Sequence, residues 1–149
     1  MKDILNMMNS DHNAIDKIIA KLNGKSEYPD IIFHELKKRL MRHFKWEEQV
    51  LFPEFELNSR EQGKQIIFIL KGEHQHIQNV FIRNIEKQLN SDSMPDALNT
   101  LSALIEILQL HKEMEQDIFY PWFEKNLHEH KMDQMIEIMK NRNLFEIDY

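Results

Sequence analysis

The sequence contains no cysteine and only 3 glycines among its 149 residues. The absence of cysteine excludes disulfide bonds, thiolate metal sites, iron–sulfur cluster ligation by this chain and cysteine nucleophiles. Any metal ion must therefore be held by histidine and carboxylate side chains. The 42% hydrophobic and 30% charged residues are an ordinary composition for a soluble, mostly helical protein.

Long apolar runs and basic runs are also missing. No stretch approaches the roughly 18 apolar residues of a membrane span, and the N-terminus has no apolar segment of signal-peptide length. The formal net charge of −6 argues against a nucleic-acid surface. We therefore expect a cytoplasmic protein that binds neither nucleic acid nor a membrane. The length fits a single domain, 1–149, with a sizeable core.

Apolar residues recur at helical spacing along almost the whole chain, and no strand pattern competes. Gly24 is expected to cap the first helix and Pro29 to start the second. Pro53 is expected to end or kink the second helix, and Pro121 to do the same in the fourth. Four long helices and a shorter segment at 131–140 predict an all-α fold. This fold is an antiparallel, up-down four-helix bundle with a short extra C-terminal helix.

One pattern occurs twice. It reads HFKWEEQVLFPEFE from His43 to Glu56 and HKEMEQDIFYPWFE from His111 to Glu124. Each copy places a glutamate four residues after a histidine, so that both side chains share one helix face. That face is otherwise apolar, and in the second copy it includes Ile118. The two halves can assemble about a pseudo-twofold axis, which would carry the two His/Glu pairs to facing positions in the core.

Matching histidines stand on the first and third helices, each with an acid before it and an isoleucine three residues later. Four imidazoles and two carboxylates therefore point into one interior volume: His12, His43, Glu47, His74, His111 and Glu115. A buried carboxylate is costly unless a cation meets it. Unsatisfied buried polar groups would cost about 1–3 kcal/mol each in a purely structural bundle, which is the plain alternative.

Two metal ions shared by these residues explain the set better. Nitrogen and carboxylate ligands favour iron, manganese or zinc over magnesium or calcium. Six protein ligands leave two octahedral ions incompletely coordinated. Water, hydroxide or oxide would complete the centre, and one position would accept dioxygen, nitric oxide or peroxide.

Other polar residues near these motifs receive different assignments. The remaining histidines are expected in solvent: His34, His76, His128 and His130. Asp11 and Glu73 are candidates for hydrogen bonding to a ligand imidazole. We set that role aside, because neighbours in sequence on a helix face different ways.

With these motifs the sequence resembles the hemerythrin-like, or HHE cation-binding, family. The motifs that carry the resemblance are Asp11-His12-x-x-Ile15, His43-x-x-x-Glu47 with Leu51-Phe52-Pro53, Glu73-His74-x-x-Ile77, and His111-x-x-x-Glu115 with Tyr120-Pro121. The match runs from about Leu5 to Glu124. The resemblance implies a bundle around a non-heme di-iron site, in which the six residues bind two iron ions with a bridging oxo or hydroxo group. Zinc and manganese stay open as alternatives.

The sequence differs from oxygen-carrying hemerythrins at two ligand positions. Gln78 stands where those proteins have a fifth histidine, and Glu115 replaces an aspartate at a longer spacing. The ligand set is more similar to that of iron–sulfur cluster repair proteins responding to nitrosative stress. Those proteins often carry an N-terminal cysteine-containing region, and this chain has no cysteine.

These observations predict a di-iron protein that binds or processes a small gas or peroxide ligand: dioxygen, nitric oxide or hydrogen peroxide. Its role would be in stress defence, sensing or iron handling. No acid–base or nucleophilic constellation exists apart from the ligands, so no catalytic residue is assigned and enzymatic activity stays open. The alternative is an iron-responsive regulatory module, in which metal occupancy controls bundle stability and an interaction with an unidentified protein partner.

Overall fold

Five helical rods follow one another along the chain. The computed structural model describes residues 4–23 and 29–141, and within these ranges it contains no strand. The first rod is α1 (Ile4–Asn23). The second joins α2 (Pro29–Trp46), a π-helical turn (Glu47–Leu51) and α3 (Phe52–Asn58). The third joins α4 (Glu61–His76), a π-helical turn (Ile77–Ile82) and α5 (Arg83–Asn90). The fourth joins α6 (Met94–Met114), a π-helical turn (Glu115–Phe119) and α7 (Tyr120–Asn126). The fifth is α8 (Glu129–Asn141).

The first four rods form an antiparallel bundle. α1 packs along α2 and α5 packs along α6, while α3 contacts α4 and α7 returns to α1. The four rods therefore close around a common interior. α8 lies against the π-helical turn of the second rod.

Two apolar clusters fill the bundle, and a polar layer separates them. One cluster includes residues of α8 and, on the first rod, Ile4 and Met8. The first-rod residues of the other cluster start at Ile15. On the third rod the clusters meet between Leu70 and Ile77. The helical spacing thus places the candidate ligands at the junction of the two clusters, in the middle of the bundle.

The prolines in the second and fourth rods redirect the helix instead of ending it. Proline lacks an amide hydrogen and its ring clashes with the carbonyl four residues earlier. The backbone widens before each proline, so that Phe52 N–H donates to the Glu47 carbonyl and Tyr120 N–H to the Glu115 carbonyl. Both rods then continue for a further helical segment. Turns of this kind are frequent at functional sites.

The inward position expected for Ile118 is wrong, because its side chain is 51% exposed. Each π-helical turn contains an extra residue, which rotates the apolar face away from simple α-helical spacing. Val50 occupies the matching place in the second rod and is only 8% exposed. It lies in the turn that α8 packs against.

The all-α bundle with an extra C-terminal helix is confirmed. The expected cap at Gly24 lies outside the described residues, and the single domain over 1–149 stays a prediction. Between residues 4 and 23 and between 29 and 141, every helix is too short or too polar to cross a membrane.

We expect Trp46→Phe to loosen α8. The indole N–H of Trp46 donates to the Met139 carbonyl oxygen at 2.9 Å, in a buried position. Met139 lies in the last turn of α8, where carbonyls have no partner within the helix. Leaving that carbonyl unpaired should lower the free energy of unfolding by about 1–3 kcal/mol. Urea denaturation measures this, and hydrogen exchange should show the loss concentrated in α8. Trp122→Phe, at a half-buried ring stack, is the control; equal losses in both variants would contradict the anchoring role.

Candidate metal centre

The six candidate ligands lie together in the polar layer. Each of the first and third rods contributes one histidine, and each of the second and fourth contributes a histidine and the glutamate that opens its π-helical turn. All six are buried, with these exposed fractions: His12 5%, His43 1%, Glu47 0%, His74 0%, His111 3% and Glu115 0%. The structure therefore brings together every residue that the sequence assigned to the site.

Their ligand atoms form two groups, each compact enough to hold a metal ion. One group is Glu47, His74, His111 and Glu115, and the other is His12, His43 and Glu115. In the first, the Nε2 atoms of His74 and His111 are 3.2 Å apart; in the second, those of His12 and His43 are 3.1 Å apart. Adjacent ligands of an octahedral ion with bonds of about 2.1 Å are separated by about 3.0 Å. The imidazole spacing thus suits a shared ion.

Glu115 belongs to both groups, so it is placed to bridge them. Its Oε1 lies 3.2 Å from His12 Nε2, and its Oε2 lies 3.3 Å from His111 Nε2. Glu47 Oε1 lies 3.2 Å from His74 Nε2. Two of these oxygens, Glu47 Oε1 and Glu115 Oε2, are buried without a hydrogen bond of suitable geometry. Buried carboxylate oxygens left unpaired are costly, and a cation would satisfy both. The donor set therefore fits metal ions.

Two acids outside the ligand set orient histidines. Asp11 Oδ2 accepts from His43 Nδ1 at 2.7 Å, and Glu73 Oε1 accepts from His111 Nδ1 at 2.7 Å. The expectation that these acids play no such part is wrong. Asp11 faces away from His12, and Glu73 faces away from His74. Each acid instead reaches a histidine on the neighbouring rod. A proton held on Nδ1 leaves the lone pair of Nε2 directed at the site.

Asp11 is itself fixed by arginines of the second rod. Arg42 Nη2 donates to Asp11 Oδ1 at 2.9 Å, and Arg39 Nε lies 3.2 Å from the same oxygen. Burial raises the pKa of Asp11, but the hydrogen bond from His43 and the charges of His43 and Arg42 outweigh burial and hold the pKa below its usual value. Asp11 is therefore an anion that secures His43.

The site favours ionised glutamate beside imidazole. Burial raises the pKa of Glu47, but His43 and the other nearby imidazoles outweigh it, so the pKa lies well below its usual value. Burial lowers the pKa values of His43 and His111, yet the carboxylates beside them, Glu47 foremost, raise both above the usual value. Burial, followed by the charge of His43, lowers the pKa of His12 to about 3. The layer therefore concentrates carboxylate charge that protons on His43 and His111 would balance without metal, and that a cation would balance in their place.

Tyr120 is a site residue to which sequence reasoning gave no role. Its hydroxyl donates to Glu47 Oε2 at 2.9 Å and lies 3.2 Å from His43 Nε2. Burial, and then Glu47, raise the pKa of Tyr120 well above its usual value, so the phenol stays protonated. The sequence did contain the signal. At the offset of Tyr120, the first copy of the repeat has Phe52, so a hydroxyl appears in one half only.

A small cavity connects the site with the surface between the first and fourth rods. Its volume is about 70 Å³, which holds a handful of water-sized molecules. At its inner end lie His12, His43, His111 and Glu115. Its walls are mainly apolar and include Ile15, Ile19, Leu40, Phe44, Ile105 and Leu108. Asp16 and Lys112 stand at the outer end, where Lys112 Nζ lies 3.0 Å from Asp16 Oδ2.

The structure also shows where the polar residues lie that the sequence did not predict as ligands. The four histidines expected in solvent are exposed: His34, His76, His128 and His130. Glu113 and Asp117 are exposed as well, and Glu48 is half-buried with Oε1 3.7 Å from His74 Nδ1.

Comparison with known proteins supports this reading of the chain. The family model described as hemerythrin HHE cation binding domain matches residues 3–123. An uncharacterized hemerythrin-like protein of Schizosaccharomyces pombe is 25% identical over 137 residues, which cover 91% of this chain. The match covers 66% of that protein, so this chain spans just under two thirds of the relative's length. No solved structure matches the chain.

We expect Asp11→Asn to destabilise the protein in a pH-dependent way. Asp11 has a folded-state pKa below its unfolded value of 3.8. Its stabilisation is therefore fully present above that pH and is lost as the pH falls through the folded pKa. At pH 7 the variant should lose about 1.5–3 kcal/mol of unfolding free energy, and the difference should shrink below pH 4.

Urea denaturation across this pH range measures the effect. Asp16→Asn makes the same chemical change on the same helix at an exposed ion pair, and it should lose at most about 1 kcal/mol. A pH-independent loss at Asp11 would show that its charge is not responsible.

Proposed function

The chain belongs to the hemerythrin HHE cation-binding domain family, and from that premise we propose that it is a non-heme di-iron protein for small diatomic or peroxide ligands. The ligands of the two ions are His12, His43, Glu47, His74, His111 and Glu115. The observation that carries this proposal is the convergence of four imidazoles and two carboxylates, with two buried carboxylate oxygens unpaired, in one layer of the core. Iron supplies the reversible ligand binding and electron transfer that these side chains lack.

The protein's own residues would hold and orient the ions. Asp11 and Glu73 direct the Nε2 atoms of His43 and His111 inward. Glu115 faces both ion positions. Nitrogen and carboxylate donors without thiolate suit iron and are poorly matched to calcium or magnesium.

The cavity supports a small external ligand. Its volume of about 70 Å³ and its mainly apolar walls admit dioxygen, nitric oxide or hydrogen peroxide and exclude larger metabolites. The cavity ends at candidate ligands of both groups, so a molecule inside it would lie beside the ions. Handling of such molecules fits a role in stress defence, sensing or iron handling, in the cytoplasm.

A second candidate function is an iron-responsive interaction module. An open groove of about 380 Å³ between the third and fourth rods is lined by Ile69, Gly72, Glu73, His76, Ile107 and Leu110. Glu73 is also the hydrogen-bond partner of His111. A partner bound in this groove would contact the support of a metal ligand. If iron raises the melting temperature of the protein, but the iron-loaded protein does not react with peroxide or nitric oxide, the interaction module would be favoured over the leading proposal.

Reconstitution with iron tests the metal centre. Anaerobic addition of Fe(II) to metal-free protein should give about two irons per chain and raise the unfolding free energy by about 2.7 kcal/mol for each ion bound, at a free iron concentration of 100 Kd for that position. Glu47→Gln and Glu115→Gln should each abolish most of the iron-dependent shift. The metal-free variants should be less stable than metal-free wild type, because removing one partner of a buried ion pair is destabilising. The iron-dependent shift of each variant is therefore measured against its own metal-free form.

Calorimetry with iron analysis gives both quantities. Glu113→Gln is the control, since Glu113 is an exposed glutamate two residues from each of two ligands on the fourth rod. Wild-type protein that takes up no iron, or Gln variants that keep the full shift, would contradict the proposal.

Filling the cavity tests the route of the ligand. Leu108→Trp places a large ring in the cavity wall, and it should slow the binding of nitric oxide to the iron-loaded protein at least tenfold. Iron content should stay at two per chain. Leu110→Trp changes a leucine that is 67% exposed on the same rod and serves as the control. Stopped-flow absorption measures the rates; equal rates in wild type and Leu108→Trp would show that ligands reach the iron elsewhere.

A further inference from the structure

The two halves of the site match residue for residue at the six candidate ligands, but they differ at several positions that touch them, and at one of these only one half has a hydroxyl group. Tyr120 in the fourth rod corresponds to Phe52 in the second. Both side chains are fully buried, at 0% exposure. Phe52 stacks near His74, with ring centroids 5.5 Å apart. Tyr120 lies at a similar distance, 5.6 Å, from His12. The corresponding rings therefore have corresponding places, and the hydroxyl is the difference.

This hydroxyl lies among the ligand atoms of one half only. It donates to Glu47 Oε2 at 2.9 Å, and it lies 3.2 Å from His43 Nε2 and 3.4 Å from His12 Nε2. The space between Glu47 and the two imidazoles is thus taken by the phenol oxygen. Glu47 Oε2 is engaged by this hydrogen bond. Glu47 Oε1 lies 3.2 Å from His74 Nε2 and 3.6 Å from His43 Nε2.

The two glutamates consequently differ in reach. Glu115 is within range of both groups of ligand atoms, whereas Glu47 joins only the group with His74 and His111. The first position therefore has four donors and the second has three. The twofold repeat of the sequence alone would give both positions the same number.

We propose that Tyr120 is a positioning residue which makes the two ion positions unequal, because its hydroxyl engages Glu47 Oε2 and so keeps that oxygen from the position formed by His12, His43 and Glu115. The inference rests on the proposed metal centre. Tyr120 acts as a neutral hydrogen-bond donor to Glu47 and does not itself bind the ion. The four-donor position fills first, and the three-donor position fills second.

Site-selective loading with iron-57 tests this role. Fe(II) is added anaerobically at one and then two equivalents, and Mössbauer spectra are recorded. In the wild type one quadrupole doublet should predominate at one equivalent, and a second should appear at two. Tyr120→Phe removes only the hydroxyl and frees Glu47 Oε2. Affinity at the second position should then rise about tenfold, because Glu47 becomes available there as a further donor. This change has the size of the effects of hydrogen-bond partners of metal ligands, whose removal ordinarily lowers affinity by about 10–100-fold, but the opposite sign. Both doublets should appear together at one equivalent.

The repeat supplies a matched control. The double variant Tyr120→Phe/Phe52→Tyr moves the phenol to the corresponding place in the other half, where it would hold Glu115 in the same way. Preferential loading should return. Its return would separate the effect of the hydroxyl from a general effect of altering Tyr120.

Three results would overturn the inference: loading in Tyr120→Phe as unequal as in wild type, weaker binding at both positions, or a phenolate-to-iron(III) absorption band in oxidised wild type that Tyr120→Phe lacks. The second result would make Tyr120 merely structural, and the third would make it a ligand. Failure of the proposed function is distinct, because wild-type protein would then bind no iron at all.

Discussion

Desolvation of two carboxylates in the middle of an apolar bundle is the constraint on which the rest of the structure depends. Glu47 and Glu115 are completely buried, and each retains an oxygen without a hydrogen bond. Ionised carboxylates in such a place require positive charge nearby. Without metal, that charge comes from protons on His43 and His111, whose pKa values the glutamates raise. Metal ions would take over this role, and the imidazoles would then become ligands. Metal affinity and fold stability are therefore coupled through the same six side chains.

Much of this arrangement could be predicted from the sequence, because helical periodicity and a duplicated motif are local signals. The spacing of His43 and Glu47 defines a shared helix face, and repetition at His111 and Glu115 implies that the faces meet. Contacts between rods are not local. The side chain of Asp11 points away from His12, as the helical spacing predicts. Its contact with His43 depends on how the first and second rods pack, which the sequence does not specify. The π-helical turns similarly alter the register, which is why Ile118 lies outside. Val50, at the matching place, is covered because α8 packs against its turn.

The residues that break the pseudo-symmetry give the two halves different properties. The ring of Phe44 stacks on His74 with centroids 3.9 Å apart, and the ring of Phe52 lies 5.5 Å from the same imidazole. The corresponding positions near His12 are Lys112 and Tyr120. His74 is thus packed against two apolar rings. His12 borders a cavity whose outer end has a Lys112–Asp16 ion pair. Replacing one phenylalanine by lysine across the repeat is consistent with opening one half of the site.

The carboxylate supports of His43 and His111 also differ between the two groups of ligands. Asp11 has a side chain only 3% exposed and two arginines beside it, so His43 is held by a buried, charged anchor. Glu73, which holds His111, is 34% exposed and borders an open groove. Water competes for Glu73 far more than for Asp11, so His111 has the weaker restraint. The interface of the first and second rods is therefore the fixed side of the centre. The cavity ends at both histidines, so a small molecule inside it would meet one firmly held imidazole, His43, and one more weakly held imidazole, His111.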